Sequence, residues 1–253
     1  QTRERFFWDG DTRGEIWTGV TIEGNYSWDW HQSNEYNMGN LTTVSGISPY
    51  FYGQYYKGIA RASIFIENVD KCTQLAKGGR DERPQRKAEA RALRAYYYFM
   101  LTRIYGPIPL LGEKSIPLDA PITEMLKARN TIDECVKYIV DELDLAYKDL
   151  PIKSEGTQYG YVDKAFCKAY KAQVLLYAAS PLYNGNPYAA DFKNKDGTQL
   201  ISPIEDKTKW SVARDAYKDF LDEFVPAYYD LHTVKTENGE IDPCVFVDDD
   251  NQA

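Results

Sequence analysis

The chain has 253 residues, enough for one large domain or two small ones around a real core. Its net charge of −8 and isoelectric point near 5.0 argue against nucleic acid, whose phosphates need a positive field. Four cysteines without C-x-x-C spacing and two histidines argue against structural zinc, and no 18-residue apolar run is available to span a membrane as a helix.

Aromatic residues make up 14% of the chain, 21 of them tyrosines, while mean hydropathy is −0.56. That pairing tilts towards amphipathic rings at a surface. The opening, QTRERF, has no initiator methionine and no signal sequence, and reads as a processed protein or a piece of one. Residues 1–54 are aromatic and lack helical period. Within them, Trp8 and Trp17 read as core aromatics beside Phe6, Phe7 and Ile16, and Asp9, Asp11 and Glu15 lack the spacing of a calcium loop. In GNYSWDWHQSNEYN, Tyr26, Trp28 and Trp30 alternate with Ser27, Asp29 and His31. An extended chain would put the three rings on one face, either packed on a core or open to a flat ligand.

Helical period begins near Tyr55, with Ile59, Ala62, Ile66 and Val69, and fades at Gly78-Gly79. The next helix starts at about Arg83, where Pro84 is tolerated in the first turn, and stops at Gly106-Pro107. Ala88, Ala92, Ala95 and Phe99 form one stripe of this helix, small enough for a neighbour to approach closely. Tyr96, Tyr97 and Tyr98 point in three directions, and Glu89, Arg91 and Arg94 read as interhelix ion pairs and caps. The proline-rich stretch 106–130 reads as an extended connector. A helix from Thr131 follows, with Ile132, Val136, Ile139 and Leu143 on one face and Cys135 as a buried thiol beside them.

A second stripe, Ala165, Ala169, Ala172 and Leu176, repeats the first 77 positions later. A third unit begins near Trp210, with Trp210, Ala213, Ala216 or Tyr217, and Phe220 on an apolar face that would place Trp210 in the core. Small-residue stripes on paired helices point to an all-α fold of tetratricopeptide-like helix pairs, separated by long loop insertions. The reading divides a single domain, 1–253, into an aromatic loop-rich segment 1–54 and helix pairs at 55–111 and 131–181. A loop excursion 182–207, the start of a third pair at 208–226 and an irregular tail 227–253 complete it. The insertion 184–198, preceded by Tyr183 and holding Asn186, Tyr188, Asp191 and Phe192, reads as solvated connector, with a loop near ligand as the alternative.

The segments YYKGIARASIFIENVD, AEARALRAYYYFMLTRIYGPIPLL, KAFCKAYKAQVLLYAASPLYNGNPYA and KWSVARDAYKDF, in that order, resemble the SusD/RagB family. The resemblance covers about residues 50–224. It implies a helical surface glycan-binding lipoprotein of the Bacteroidetes outer membrane that caps a SusC-like, TonB-dependent barrel transporter. In the RagB branch the ligand is peptide. It also implies that the sequence is the N-terminal and middle portion of a longer lipid-anchored protein. In the family the glycan site draws on aromatic residues ahead of the first helix pair.

The candidate ligand-binding residues are therefore Tyr26, Trp28, Trp30, His31, Asn34 and Tyr36, with Arg13 as a further hydroxyl donor. Indole faces match the flat C–H faces of pyranose rings, and amides take the hydroxyls. No catalytic constellation stands out. Neither histidine sits in a nucleophile motif, no phosphate-cradling glycine loop occurs, and no pair of carboxylates is singled out. The expectation is a noncatalytic glycan-binding protein without cofactor or metal. The alternative is a helical-repeat scaffold for peptide or protein, which has no need of exposed tryptophans.

Overall fold

The computed structural model describes residues 7–8, 11–12, 19–22, 24–28, 33–40, 42, 47–117 and 119–230. The chain divides into two compact units, Gln1–Ile59 and Ala60–Ala253. The architecture is mostly helical, as the sequence pattern predicts.

The first unit holds a two-residue antiparallel pair, β1 (Phe7–Trp8) and β2 (Asp11–Thr12), in the register Phe7 to Thr12 and Trp8 to Asp11. It also holds the short helix α1 (Ser33–Asn37) and the first half of α2 (Ile47–Asn68). Helix α2 starts ahead of Tyr55, where periodicity first becomes visible. Its early turns are held by aromatic neighbours one turn apart: Phe51 stacks on Tyr55 (5.9 Å between centroids) and Tyr52 meets Tyr56 (4.7 Å).

In the second unit, α3 (Arg83–Tyr105), α5 (Ile132–Asp149), α6 (Lys164–Ala179) and α7 (Thr208–Phe224) form a stack. Helix α3 packs on α5, α5 on α6, and α6 on α7. Helix α3 ends where the Gly106 N–H reaches Thr102 O (2.9 Å) with φ of 71°, a conformation glycine adopts without a Cβ penalty. Helix α5 opens with a capping box, in which Thr131 and Glu134 each accept the other's backbone N–H. Asp163 caps α6 through the Phe166 N–H (2.9 Å).

The first alanine stripe is fully interior: Ala88, Ala92, Ala95 and Phe99 are all buried. Beside it, Tyr96 meets Tyr170 edge-on at 5.1 Å and Tyr98 meets Tyr138 at 5.2 Å, while Tyr97 is half-buried. The second stripe breaks at its end. Ala165 and Ala172 are buried, but Leu176 is exposed, and the inward face continues through Val174 and Ala178 instead. Trp210 departs from expectation in the same way: it is 43% exposed, and α7 seats itself through Ala213, Ala216 and Phe224. Small residues at the contact bring α7 close to α6, which leaves the bulky indole at the flank.

The stack holds a buried charge network. The Arg94 side chain is wholly buried and that of Glu142 is 3% exposed, with Arg94 Nη2 donating to Glu142 Oε2 at 2.6 Å. Arg91 Nη1 donates to the other carboxylate oxygen (2.9 Å), and Arg94 Nη1 reaches Ser63 Oγ and Glu113 O. Glu89, by contrast, pairs within its own helix with Arg86.

The stretch 106–130 is more than an extended connector. Ile108 is buried, Leu111 N donates to Tyr98 Oη, and Ile122–Met125 forms one helical turn, α4. The excursion after α6 likewise folds back rather than lying solvated. Tyr183, Ala189 and Ile201 form a small core with Ile132, against which Val136, Tyr177 and Phe192 pack. Gln199 Nε2 ties this loop together by donating to the carbonyls of Ala189 and Ile201. Cys135 is buried, and burial pushes its thiol up to about 11.

Candidate functional site

The candidate residues fall in the first unit. Residues 24–28 run without regular structure into the segment before α1, and the alternation at Tyr26 and Trp28 has its expected result. The two rings lie on one side, stacked with centroids 6.0 Å apart and planes 21° from parallel. Tyr26 is half-buried, whereas Trp28 leaves 54% of its surface in solvent. An indole gains roughly 2–3 kcal/mol from full burial, so a half-exposed one still has apolar contact to give a ligand.

Helix α1 supports this pair from behind. Asn34 Nδ2 donates to the Trp28 carbonyl at 2.8 Å, which fixes the backbone that carries the indole. Asn37 Nδ2 donates to the Gly19 carbonyl at 2.8 Å, tying the end of α1 to the segment ahead of the rings. Ser33, the first residue of the helix, is fully buried. Gly19 must be glycine: a Cβ there would stand 2.6 Å from Ser33 Oγ and 2.7 Å from the Tyr26 ring. Tyr26 therefore rests against bare backbone.

Tyr36 is half-buried on α1. Burial first, and the neighbouring Glu35 charge second, raise its phenol above the ordinary value, so it stays a neutral hydrogen-bonding group. One carboxylate oxygen of Glu35 is buried without a hydrogen-bond partner. Trp30, His31 and Arg13 lie outside the described residues, as do Trp17 and the side chain of Trp8. Among the described residues, no group of three or more His, Cys, Asp or Glu is placed to hold a metal ion.

The sequence pattern points to the rings and the amides and carries no signal for Gly19 and Ser33, which lie beside Tyr26. Their role is steric, and a glycine or serine in a polar stretch carries no periodicity to betray it. Chemically, the arrangement offers a flat aromatic surface with amide and phenol groups alongside. It can stack and hydrogen-bond.

A family model described as starch-binding associating with outer membrane matches residues 12–176 of this chain. A SusD-like protein of Bacteroides ovatus is 26% identical over 198 residues, covering 72% of this chain and 34% of the relative. SusD-like protein P38 of Formosa agariphila is 27% identical over 138 residues, covering 54% of this chain and 25% of the relative. Among solved structures, BT4246 superposes with a TM-score of 0.64 at 33% identity, over 75% of this chain and 32% of that one. A chain crystallised with a xylogluco-oligosaccharide shares the fold, with a TM-score of 0.59 at 20% identity over 81% of this chain and 35% of that one. The chain spans about a third of the length of most of these relatives.

Proposed function

Because the chain belongs to the SusD-like family, we propose that it serves in noncatalytic capture of glycan at the cell surface, with the Tyr26–Trp28 pair as a stacking platform. The observation that carries the reading is the half-exposed Trp28 ring, stacked on Tyr26 and carried on backbone that Asn34 ties down. A preorganised ring loses little freedom when a pyranose lies on it, so most of the stacking energy appears as affinity.

In this reading Asn34 and Tyr36 sit beside the sugar, and Trp30, His31 and Arg13 extend the surface. Asn34 already spends one amide hydrogen on Trp28, which leaves its carbonyl oxygen and second hydrogen for hydroxyls. The protein binds and releases; the ligand then passes to a TonB-dependent barrel in the outer membrane, to which the full-length protein is held by a lipid anchor. Family membership supports this placement. Exposure of Trp28 supports a glycan platform over a peptide-binding scaffold, which has no need of an exposed indole there.

The test is binding of the full-length protein to a panel of plant, host and microbial polysaccharides, xyloglucan first among them. Wild type is run beside Trp28→Ala/Trp30→Ala. The expected result is retained folding with at least tenfold weaker binding. Equal binding by both proteins would place the site elsewhere, and wild-type binding to peptide alone would replace glycan as the ligand.

A further inference from the structure

We propose that a cluster of tyrosines around Tyr159, in the link between α5 and α6, is a further contact surface for neutral oligosaccharide. The proposal rests on the glycan-binding reading above and extends it to the second unit.

Tyr159 follows a short 3-10 turn, Gly156–Gln158, and is 85% exposed. Its backbone is nonetheless fixed: Tyr159 N donates to Gly156 O (3.1 Å) and Tyr161 N to Gln158 O (2.9 Å). Tyr161 is 50% exposed, with the Arg86 guanidinium 5.3 Å from its ring centroid. Tyr229 arrives from beyond α7, and its hydroxyl donates to Asp163 Oδ2 at 3.2 Å, the same oxygen that accepts the Ser154 N–H. Lys153 Nζ lies 5.4 Å from the Tyr229 ring centroid.

One exposed ring is ordinary for a protein surface; three, gathered from two distant stretches of chain and anchored by cations and a carboxylate, are a patch. The ligand class follows from charge. Lys153 pairs with Glu155 at 3.4 Å, and Arg86 is shared between Glu82 (3.1 Å) and Glu89 (2.9 Å). Asp163 is occupied by two N–H groups and a phenol. Both cations therefore have carboxylate partners, and the Asp163 charge is buried rather than presented to a ligand. What remains is flat ring surface rimmed by hydroxyls. That suits an uncharged polyol with apolar C–H faces.

The test is affinity electrophoresis of the full-length protein in native gels containing xyloglucan, galactomannan, arabinoxylan or starch, comparing wild type with Tyr159→Ala and Tyr159→Phe. At 85% exposure Tyr159 has almost no packing to lose, and far-UV circular dichroism checks that the fold is unchanged. Loss of one stacking ring should weaken binding about three- to tenfold in Tyr159→Ala, while Tyr159→Phe keeps most of it. Wild-type binding unchanged in Tyr159→Ala would overturn this proposal and leave glycan binding at Trp28 intact. A wild type retarded by none of the four would overturn the glycan reading and this inference with it.

Discussion

Replacing Glu142 with alanine should remove a large part of the protein's stability. The carboxylate is almost wholly buried and accepts two charged hydrogen bonds, at 2.6 Å from Arg94 and 2.9 Å from Arg91. Arg91 is 22% exposed and can turn to water, but Arg94 is wholly buried. In the variant the Arg94 guanidinium keeps Ser63 Oγ and Glu113 O, and its Nε, already without a partner, gains nothing. Leaving a charge buried and half-satisfied costs about 3–5 kcal/mol. Against a typical stability of about 5–15 kcal/mol, that moves the urea midpoint down by about 1–2 M for a slope near 2–3 kcal/mol per molar. Urea unfolding followed by circular dichroism and tryptophan fluorescence measures it. The double variant Arg94→Met/Glu142→Leu, which removes both charges, should recover most of the loss. A cost below about 1 kcal/mol for Glu142→Ala, or a double variant no better than the single, would refute the claim that the charge is desolvated.

Gly19→Ala should displace the Tyr26 ring, disturb the Trp28 ring stacked on it and weaken glycan binding; binding equal to wild type would show that the platform does not depend on that seat. Thr102→Val should raise the melting temperature by about 2–4 °C, corresponding to about 1 kcal/mol. The Thr102 hydroxyl is buried without a partner in the wall of a cavity of about 10 Å3 that Phe99, Ile132, Val136 and Val174 also line, and a lowered melting temperature would contradict this. Stability should also fall in alkali. Burial pushes Tyr98 and Tyr183 up to about 12, Cys135 to about 11 and Cys167 to about 12. The unfolded chain releases these protons first, so the stabilisation is complete below about pH 9 and is lost as pH rises towards about 12. A urea midpoint at pH 10.5 equal to that at pH 8 would refute it.

The helices of the stack were legible because their apolar residues recur at helical spacing and their ends carry recognisable chemistry, as at Thr131 and Gly106. Periodicity says which residues share a face, not whether a neighbour covers it, which is why Leu176 and Trp210 were placed inside. Phe224, one turn beyond Phe220, is the residue that α7 buries completely. Arg91 and Arg94 were read as interhelix pairs, but their partner was not. Glu142 lies three positions after Ile139 on the buried face of α5, and a carboxylate there was the available signal. The loops were underestimated because their order comes from contacts remote in sequence, such as Tyr183 Oη to Thr102 O at 3.0 Å. At the candidate site, alternation correctly placed Tyr26 and Trp28 on one side. The support from Gly19 and Ser33 is a matter of clearance, which no pattern encodes.

A stack in which each long helix leans mainly on the next behaves as a nearly one-dimensional system. Its opening free energies should be graded rather than uniform: α6 and α7, packed on each other as closely as α3 on α5, can open together while α3 and α5 remain locked around the Arg94–Glu142 pair. Amide hydrogens would then exchange earlier in α6 and α7 than in α3 and α5. The link that carries Tyr159 joins α5 to α6, at the boundary between the slow and fast ends. A ligand clasped there would act as a latch, slowing exchange in α6 and α7 together while leaving α3 unchanged.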